Sequence, residues 1–112
     1  MGKIKVLMID DNISLIGMVK EYFYNHADIE IALEAHDGEE GLNKILNNEN
    51  EYNLVLLDLI MPKKDGVYVL EELKKRNIEK NIIVLTSYNA PDVIRKVSEY
   101  GVNYYILKPF EL

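Results

Sequence analysis

Leu54-Val55-Leu56-Leu57-Asp58-Leu59-Ile60-Met61-Pro62 is an apolar run that stops at a single acid and continues into a proline turn. Four consecutive aliphatic residues without polar alternation predict a short strand covered on both faces, the habit of central strands in parallel α/β sheets. Asp58 then stands at the carboxyl end of a buried strand, the edge of such sheets where ligands and chemistry collect. An isolated acid at such a place more often only marks where a strand leaves the core. Its weight depends on how the other strands end.

Towards the N-terminus, Ile4 to Ile9, with Lys5 the only polar break, predicts a strand that ends at Asp10-Asp11-Asn12. Two adjacent acids at a strand end repel each other and invite a cation. Asn12 is placed to cap a first helix. Leu15, Met18, Val19, Tyr22 and Phe23 fall in the i, i+3, i+4, i+7, i+8 series expected of that helix's inward face. Ile29 to Ala35 alternates apolar residues against Glu30 and Glu34, as an edge strand with one wetter face does. Asp37 and Glu40 have capping-box spacing and open a second helix with Leu42, Ile45 and Leu46 inward, ended by the Asn- and Glu-rich stretch 47–53.

Towards the C-terminus, Met61 to Gly66 has turn chemistry and leads into a third helix, with Val69, Leu70 and Leu73 inward and Lys74, Lys75 and Arg76 near its C-terminus. Ile82 to Leu85 is another apolar strand, which stops at Thr86 and Ser87. Pro91 lies in the first turn of a fourth helix that turns Val93, Ile94 and Val97 inward and ends at Gly101. Tyr104 to Leu107 is the fifth strand, followed by Lys108-Pro109-Phe110. Five strands alternating with four helices predict an α/β fold, a doubly wound parallel sheet with right-handed crossovers and helices on both faces. The flavodoxin-like order 2-1-3-4-5 has its switch point between strands 1 and 3, which puts Asp10 and Asp11 beside Asp58.

A chain of 112 residues fits one domain with a real core. The absence of cysteine excludes a disulfide scaffold, a thiolate zinc site and a thiol nucleophile, and a cytoplasmic setting is the expectation. A net charge of -6 argues against gripping nucleic acid through its phosphates. No apolar stretch approaches the roughly 18 residues of a membrane span, and the start of the chain has no signal-like region.

Four strand ends thus bring Asp10 and Asp11, Asp58, Thr86 and Lys108 to one sheet edge, the parts of a phosphoryl-transfer site. A carboxylate can carry a phosphoryl group as a mixed anhydride, so Asp58 is the candidate nucleophile. Three carboxylates this close should raise one another's pKa values, and Mg²⁺, which takes carboxylate and phosphate oxygens, is the natural remedy. Lys108 supplies a point cation for phosphoryl oxygens, and the Thr86 hydroxyl a donor. Singly, Lys108 reads as an exposed lysine, Thr86 as a β-branched strand terminus and Tyr105 as a packing residue. The set is far more specific than its members.

Asp10-Asp11, Leu-Leu-Asp-Leu-Ile-Met-Pro with Asp65-Gly66, Leu-Thr-Ser and Leu-Lys-Pro-Phe, in that order, resemble a two-component response-regulator receiver domain across nearly the whole chain. Val69 to Leu73 and Tyr105 to Leu112 resemble most the receivers of master transcription regulators of sporulation in spore-forming bacteria. The resemblance implies that Asp58 takes phosphate from a phosphohistidine protein, either a histidine kinase or a phosphotransfer protein. It implies Mg²⁺, or Mn²⁺ or Ca²⁺ in its place, held by Asp11, Asp58 and the backbone carbonyl of Ile60, with Asp10 acting mainly through metal-bound water. Thr86 and Tyr105 become a switch pair reporting to the surface of helix 4 and strand 5. Together with the demand that Lys108 turn back over the strand ends, it raises the odds of a cis peptide between Lys108 and Pro109.

Two departures qualify that likeness. The family has a fifth helix after the Lys-Pro loop, whereas residues 1–112 stop short of it and hold no output domain, so any DNA binding belongs elsewhere. The face beside helix 1 and strands 4 and 5 is then expected to be partly bare, leaving the chain unstable or self-associating, with a homodimer possible. Ile60 cannot orient an attacking water, which favours a long-lived phosphoryl group. Asp58→Asn is expected to abolish phosphorylation and leave the fold intact, with the side chain at a solvent-facing strand end. The expectation is a signalling phosphoacceptor rather than a turnover enzyme. An aspartate-nucleophile phosphatase would want Asp-x-Asp after strand 1, and a flavodoxin-like binding module would want a hydroxyl- or glycine-rich loop there.

Overall fold

The computed structural model describes residues 2–87 and 91–109. In chain order the elements are β1 (Ile4–Ile9), α1 (Ile13–Tyr22), β2 (Ile29–Ala35), α2 (Gly38–Asn47), a 3-10 turn (Glu49–Glu51), β3 (Leu54–Leu57), α3 (Gly66–Lys75), β4 (Ile82–Thr86), α4 (Pro91–Glu99) and β5 (Tyr104–Leu107). The strands form one sheet in the order β2-β1-β3-β4-β5, every neighbouring pair parallel. The expected doubly wound flavodoxin-like architecture is therefore the observed one. Phe110, Glu111 and Leu112, which carried part of the resemblance, lie outside the described residues.

The helix starts follow from side chains that accept orphan backbone N–H groups. Asn12 accepts from Leu15, Asp37 from Glu40 and Asp65 from Tyr68. Glu40 reaches back to the His36 N–H at 2.7 Å, so the reciprocal bond of the capping box lands one residue before the cap. Gly101, at φ +77°, supplies the left-handed residue beyond α4.

The larger apolar cluster lies on the sheet face covered by α2, α3 and α4, where Leu42, Ile45, Val69, Leu70, Leu73 and Val97 meet Leu7, Ile9, Val55, Leu57 and Val84. The other face holds a smaller cluster of Val6, Met8 and Leu85 under Ile16 and Val19 of α1. Here the expected inward series of α1 is corrected. Ile16 is buried, whereas Met18 and Tyr22 are 60% and 54% exposed. At about 100° per residue, Leu15, Val19, Phe23 and Ile16 span one arc of the helix, and Met18 and Tyr22 lie on its flank. The apolar arc is wider than the strip of sheet it covers, and its flank is left in water.

At the N-terminal edge of the sheet, Asn53 and Asn103 stand immediately before β3 and β5. The Asn53 side-chain carbonyl accepts the Lys5 N–H at 2.8 Å, and that of Asn103 accepts the Ile82 N–H at 2.8 Å. Each asparagine extends its neighbour's ladder by one bond. The strands are thereby held in register, and their opposite, carboxyl ends arrive at a common level.

Candidate functional site

At those carboxyl ends the ladders run one residue past the regular strands. Asp10 N–H donates to Ala35 O at 3.0 Å, Asp58 N–H to Ile9 O at 2.9 Å and Lys108 N–H to Thr86 O at 2.9 Å. Each of these residues is thus fixed by its backbone to the next strand, and its side chain starts from a rigid point. Asp10, Asp11 and Asp58 each place a carboxylate oxygen within 4.8 Å of the other two, as the strand order predicted.

Lys108 Nζ lies 2.7 Å from Asp10 Oδ2 and 3.5 Å from Asp58 Oδ2. Asp10 Oδ1 accepts the Asn12 N–H at 2.9 Å, and Asp58 Oδ1 accepts the Ile60 N–H at 3.3 Å. Asp10 is buried and hydrogen-bonded through both oxygens, while Asp11 is exposed. Asp11 is consequently the freest member of the acid set to meet an arriving ion. The Lys108–Pro109 peptide is cis.

Asp58 is only 5% exposed, so the expectation of a solvent-facing side chain is wrong. The strand end is covered rather than open to bulk water. Burial is the first cause that pushes the Asp58 carboxyl up to about 6, with the charge of Asp10 second, against Lys108 and the Ile60 N–H pulling it down. Desolvation, rather than crowding among the acids alone, sets the shift.

Thr86 is buried at the end of β4, and Tyr105 is half-buried on β5, where burial pushes its phenol up. The register pairs Val84 with Tyr105 and Thr86 with Leu107, so Thr86 and Tyr105 share the sheet face covered by α3 and α4, two residues apart along the strands. The loop between β3 and α3 is clipped to itself by Gly66 N–H on Leu59 O at 3.0 Å, and to α2 by Gly38 N–H on Lys64 O at 2.6 Å. Gly38 is the residue that sequence reading missed. The available signal was a glycine immediately inside an acid-capped helix, where any good helix former would otherwise serve.

The arrangement is a carboxylate beside a cation, with further carboxylates positioned to share a divalent ion. Among the described residues the clustered donors are hard carboxylate oxygens, and two of the three acids are buried, which fits Mg²⁺ or another hard divalent ion. The sequence pattern of the response regulator receiver domain matches residues 6–112. The chain belongs to the receiver-domain family.

Solved receiver structures agree in fold. This receiver is similar to CheY in a CheX–CheY–BeF3–Mg²⁺ complex from Borrelia burgdorferi, at 25% identity and a TM-score of 0.84, with 96% of this chain and 79% of that one covered. It is similar to a CheY-like receiver domain from Methanospirillum hungatei at 28% identity and TM-score 0.79, covering 99% and 85%. A LuxR-family DNA-binding response regulator from Staphylococcus aureus aligns at 26% identity and TM-score 0.80, covering 96% and 88%. Among the described residues no helix is long and apolar enough to cross a membrane.

Proposed function

We propose that this receiver accepts a phosphoryl group on Asp58 from a phosphohistidine of a histidine kinase or phosphotransfer protein. The observation that carries the reading is the placement of one buried carboxylate 3.5 Å from Lys108 and within 4.8 Å of two further acids. An Asp58 oxygen forms the new O–P bond as the N–P bond of the donor imidazole breaks, and the imidazole keeps the nitrogen electron pair. Lys108 offsets charge on the phosphoryl oxygens, and the Ile60 N–H holds the second Asp58 oxygen in place. Asp11, Asp58 and the carbonyl of Ile60 would hold Mg²⁺, with Asp10 behind them. The ion supplies charge neutralisation among the acids and the phosphoryl group.

Thr86 would meet the attached phosphoryl group, and Tyr105 would carry that change to the surface of α4 and β5. The output is transcription of the sporulation type, in a cytoplasmic protein. Supporting this are the likeness of Val69 to Leu73 and of the Lys108 region to sporulation regulators, and the similarity to a DNA-binding response regulator. The bound BeF3 and Mg²⁺ of the similar Borrelia CheY complex also support the site assignment.

Incubation with Mg²⁺ and acetyl phosphate, followed by intact mass, tests the reading. One phosphoryl adduct per chain, absent from Asp58→Asn and dependent on Mg²⁺, is the expected result. An adduct that survives Asp58→Asn, or continuous turnover of phosphate esters, would overturn it.

A further inference from the structure

Helix α2 meets the loop after β3 through the backbone of Gly38. Its own position is set elsewhere. Leu42 and Ile45 are buried in the larger core cluster, Asp37 caps the helix, and Glu40 binds the His36 N–H just beyond β2. From this fixed base the Gly38 N–H, one of the unpaired donors at a helix start, donates to Lys64 O at 2.6 Å. Lys64 belongs to the loop that runs from Asp58 through Ile60 to the cap of α3.

The approach is too close for any side chain. A Cβ on Gly38 would lie 2.6 Å from the Lys64 carbonyl carbon and 2.7 Å from Asp65 O, and closer still to Lys64 O. All of these are backbone atoms, so the clash cannot be relieved by turning a rotamer. At the other end of the loop, Gly66 donates to Leu59 O, and a Cβ there would lie 2.8 Å from Leu59 Cα. Lys63, within the loop, lies at φ +53°, a left-handed conformation uncommon for a non-glycine residue. The loop is closed on itself by Gly66 and pressed against α2 by Gly38.

We propose that Gly38 is a positioning residue for the phosphoacceptor site: through Lys64 it fixes the loop that carries Ile60, whose N–H binds Asp58 Oδ1, and so it sets metal affinity from outside the acid cluster. The proposal rests on the reading of Asp58 and Ile60 given above. Gly38 touches neither, and its effect must pass through the loop backbone. Any larger residue pushes Lys64 away and moves the Ile60 carbonyl with it.

Gly38→Ala is compared with Ile45→Ala on the same helix, a buried residue remote from the loop whose truncation lowers stability by leaving a cavity. Mg²⁺ titration by calorimetry, thermal melts and amide hydrogen exchange are measured on the whole chain. Gly38→Ala is expected to weaken Mg²⁺ binding by about 10- to 100-fold, the usual effect of disturbing what orients a ligand, and to speed exchange of the Ile60 and Gly66 amides. Ile45→Ala is expected to lower the melting temperature and leave Mg²⁺ affinity within about twofold of the parent, below what loss of an orienting contact produces. Unchanged Mg²⁺ affinity in folded Gly38→Ala, or an equal loss in both variants, overturns the proposal.

Failure of the parent chain to bind Mg²⁺ sinks the reading of the acid cluster instead. The clamp is then decided by exchange alone: faster Ile60 and Gly66 amides in Gly38→Ala but not in Ile45→Ala sustain it, and equal rates end it. If Gly38→Ala does not fold, replacing the Gly38 amide by an ester deletes the donor without adding bulk. The same losses are expected there, and parental Mg²⁺ affinity in the ester would overturn the clamp.

Discussion

Lys108 Nζ rests 2.7 Å from Asp10 Oδ2, a pair that joins the first and last strand ends of the chain. Asp10 is 1% exposed, so its charge is tolerable largely because this cation and the Asn12 N–H meet it. Lys108 therefore has a structural task before any phosphoryl group arrives. Lys108→Met should cost about 3 to 5 kcal/mol at neutral pH by stranding a buried charge. Adding Asp10→Asn should recover much of that loss, giving a double variant more stable than the sum of the single effects predicts. Urea unfolding of the four proteins measures the coupling, and strict additivity would show that the pair contributes nothing.

The raised carboxyl of Asp58 makes metal-free stability pH-dependent with a definite sign. The ordinary value is 3.8, and the folded value is about 6. Below the ordinary value both states hold the proton and there is no penalty. As pH rises through the window from about 4 to about 6, the unfolded chain releases the proton before the folded one, so stability falls. Above that window the loss is complete, on the order of 3 kcal/mol. Asp58→Asn removes the titrating group and should be the more stable protein at pH 7.5 in chelator, with the advantage shrinking towards pH 4. Paired urea melts across that range check this, since the other carboxylates are common to both. A difference that does not move with pH would refute it.

The site was largely legible because its residues sit at strand ends, and strand ends are the one place where a sequence pattern translates directly into position. Asp10, Asp58, Thr86 and Lys108 each follow an apolar run, and parallel order then brings those ends together. The inward face of α1 was not legible in the same way. Leu15, Ile16, Met18, Val19, Tyr22 and Phe23 offer two overlapping apolar series, and only the width of sheet beneath the helix selects between them. The burial of Asp58 was hidden for a related reason. Whether a strand end faces water depends on neighbours distant in sequence, of which Lys108 is one. Gly38 carries no side chain, and its place just inside the Asp37 cap is the one signal it offers.

Ile60 is 55% exposed, with its N–H on Asp58 Oδ1. The side chain is exposed beside the acid cluster and offers no polar atom to an incoming water. Ile60→Asn keeps the backbone bond and adds a donor and an acceptor there. One water-orienting hydrogen bond is worth about 1 kcal/mol, so the phosphoryl lifetime should shorten by roughly fivefold. Decay of the adduct by intact mass after removal of acetyl phosphate gives the rate. A lifetime unchanged or lengthened would mean that Ile60 does not limit hydrolysis.

The sheet face beneath α1 carries the smaller apolar cluster. Among the described residues, α2, α3 and α4 all pack on the opposite face, and α1 is the one helix over this face, where it buries Val6, Met8 and Leu85. Leu54, Leu56, Ile83 and Ile106, on the same face by strand alternation, are left half-buried, and Tyr104 is 64% exposed. Contiguous apolar surface of this kind seeks a cover, and the 112-residue polypeptide is expected to self-associate as its concentration rises. Each of these side chains gains roughly 1.5 to 3 kcal/mol when fully buried, and about half of that when it starts half-covered, so a few of them suffice to drive association. Light scattering across a dilution series should show the change in mass, with Ile106→Glu restoring the monomer. Asp58→Asn should associate as the parent does, because the contact owes nothing to a phosphoryl group. Association that depends on Asp58, or a monomer at every concentration, would show that this face is not the adhesive one.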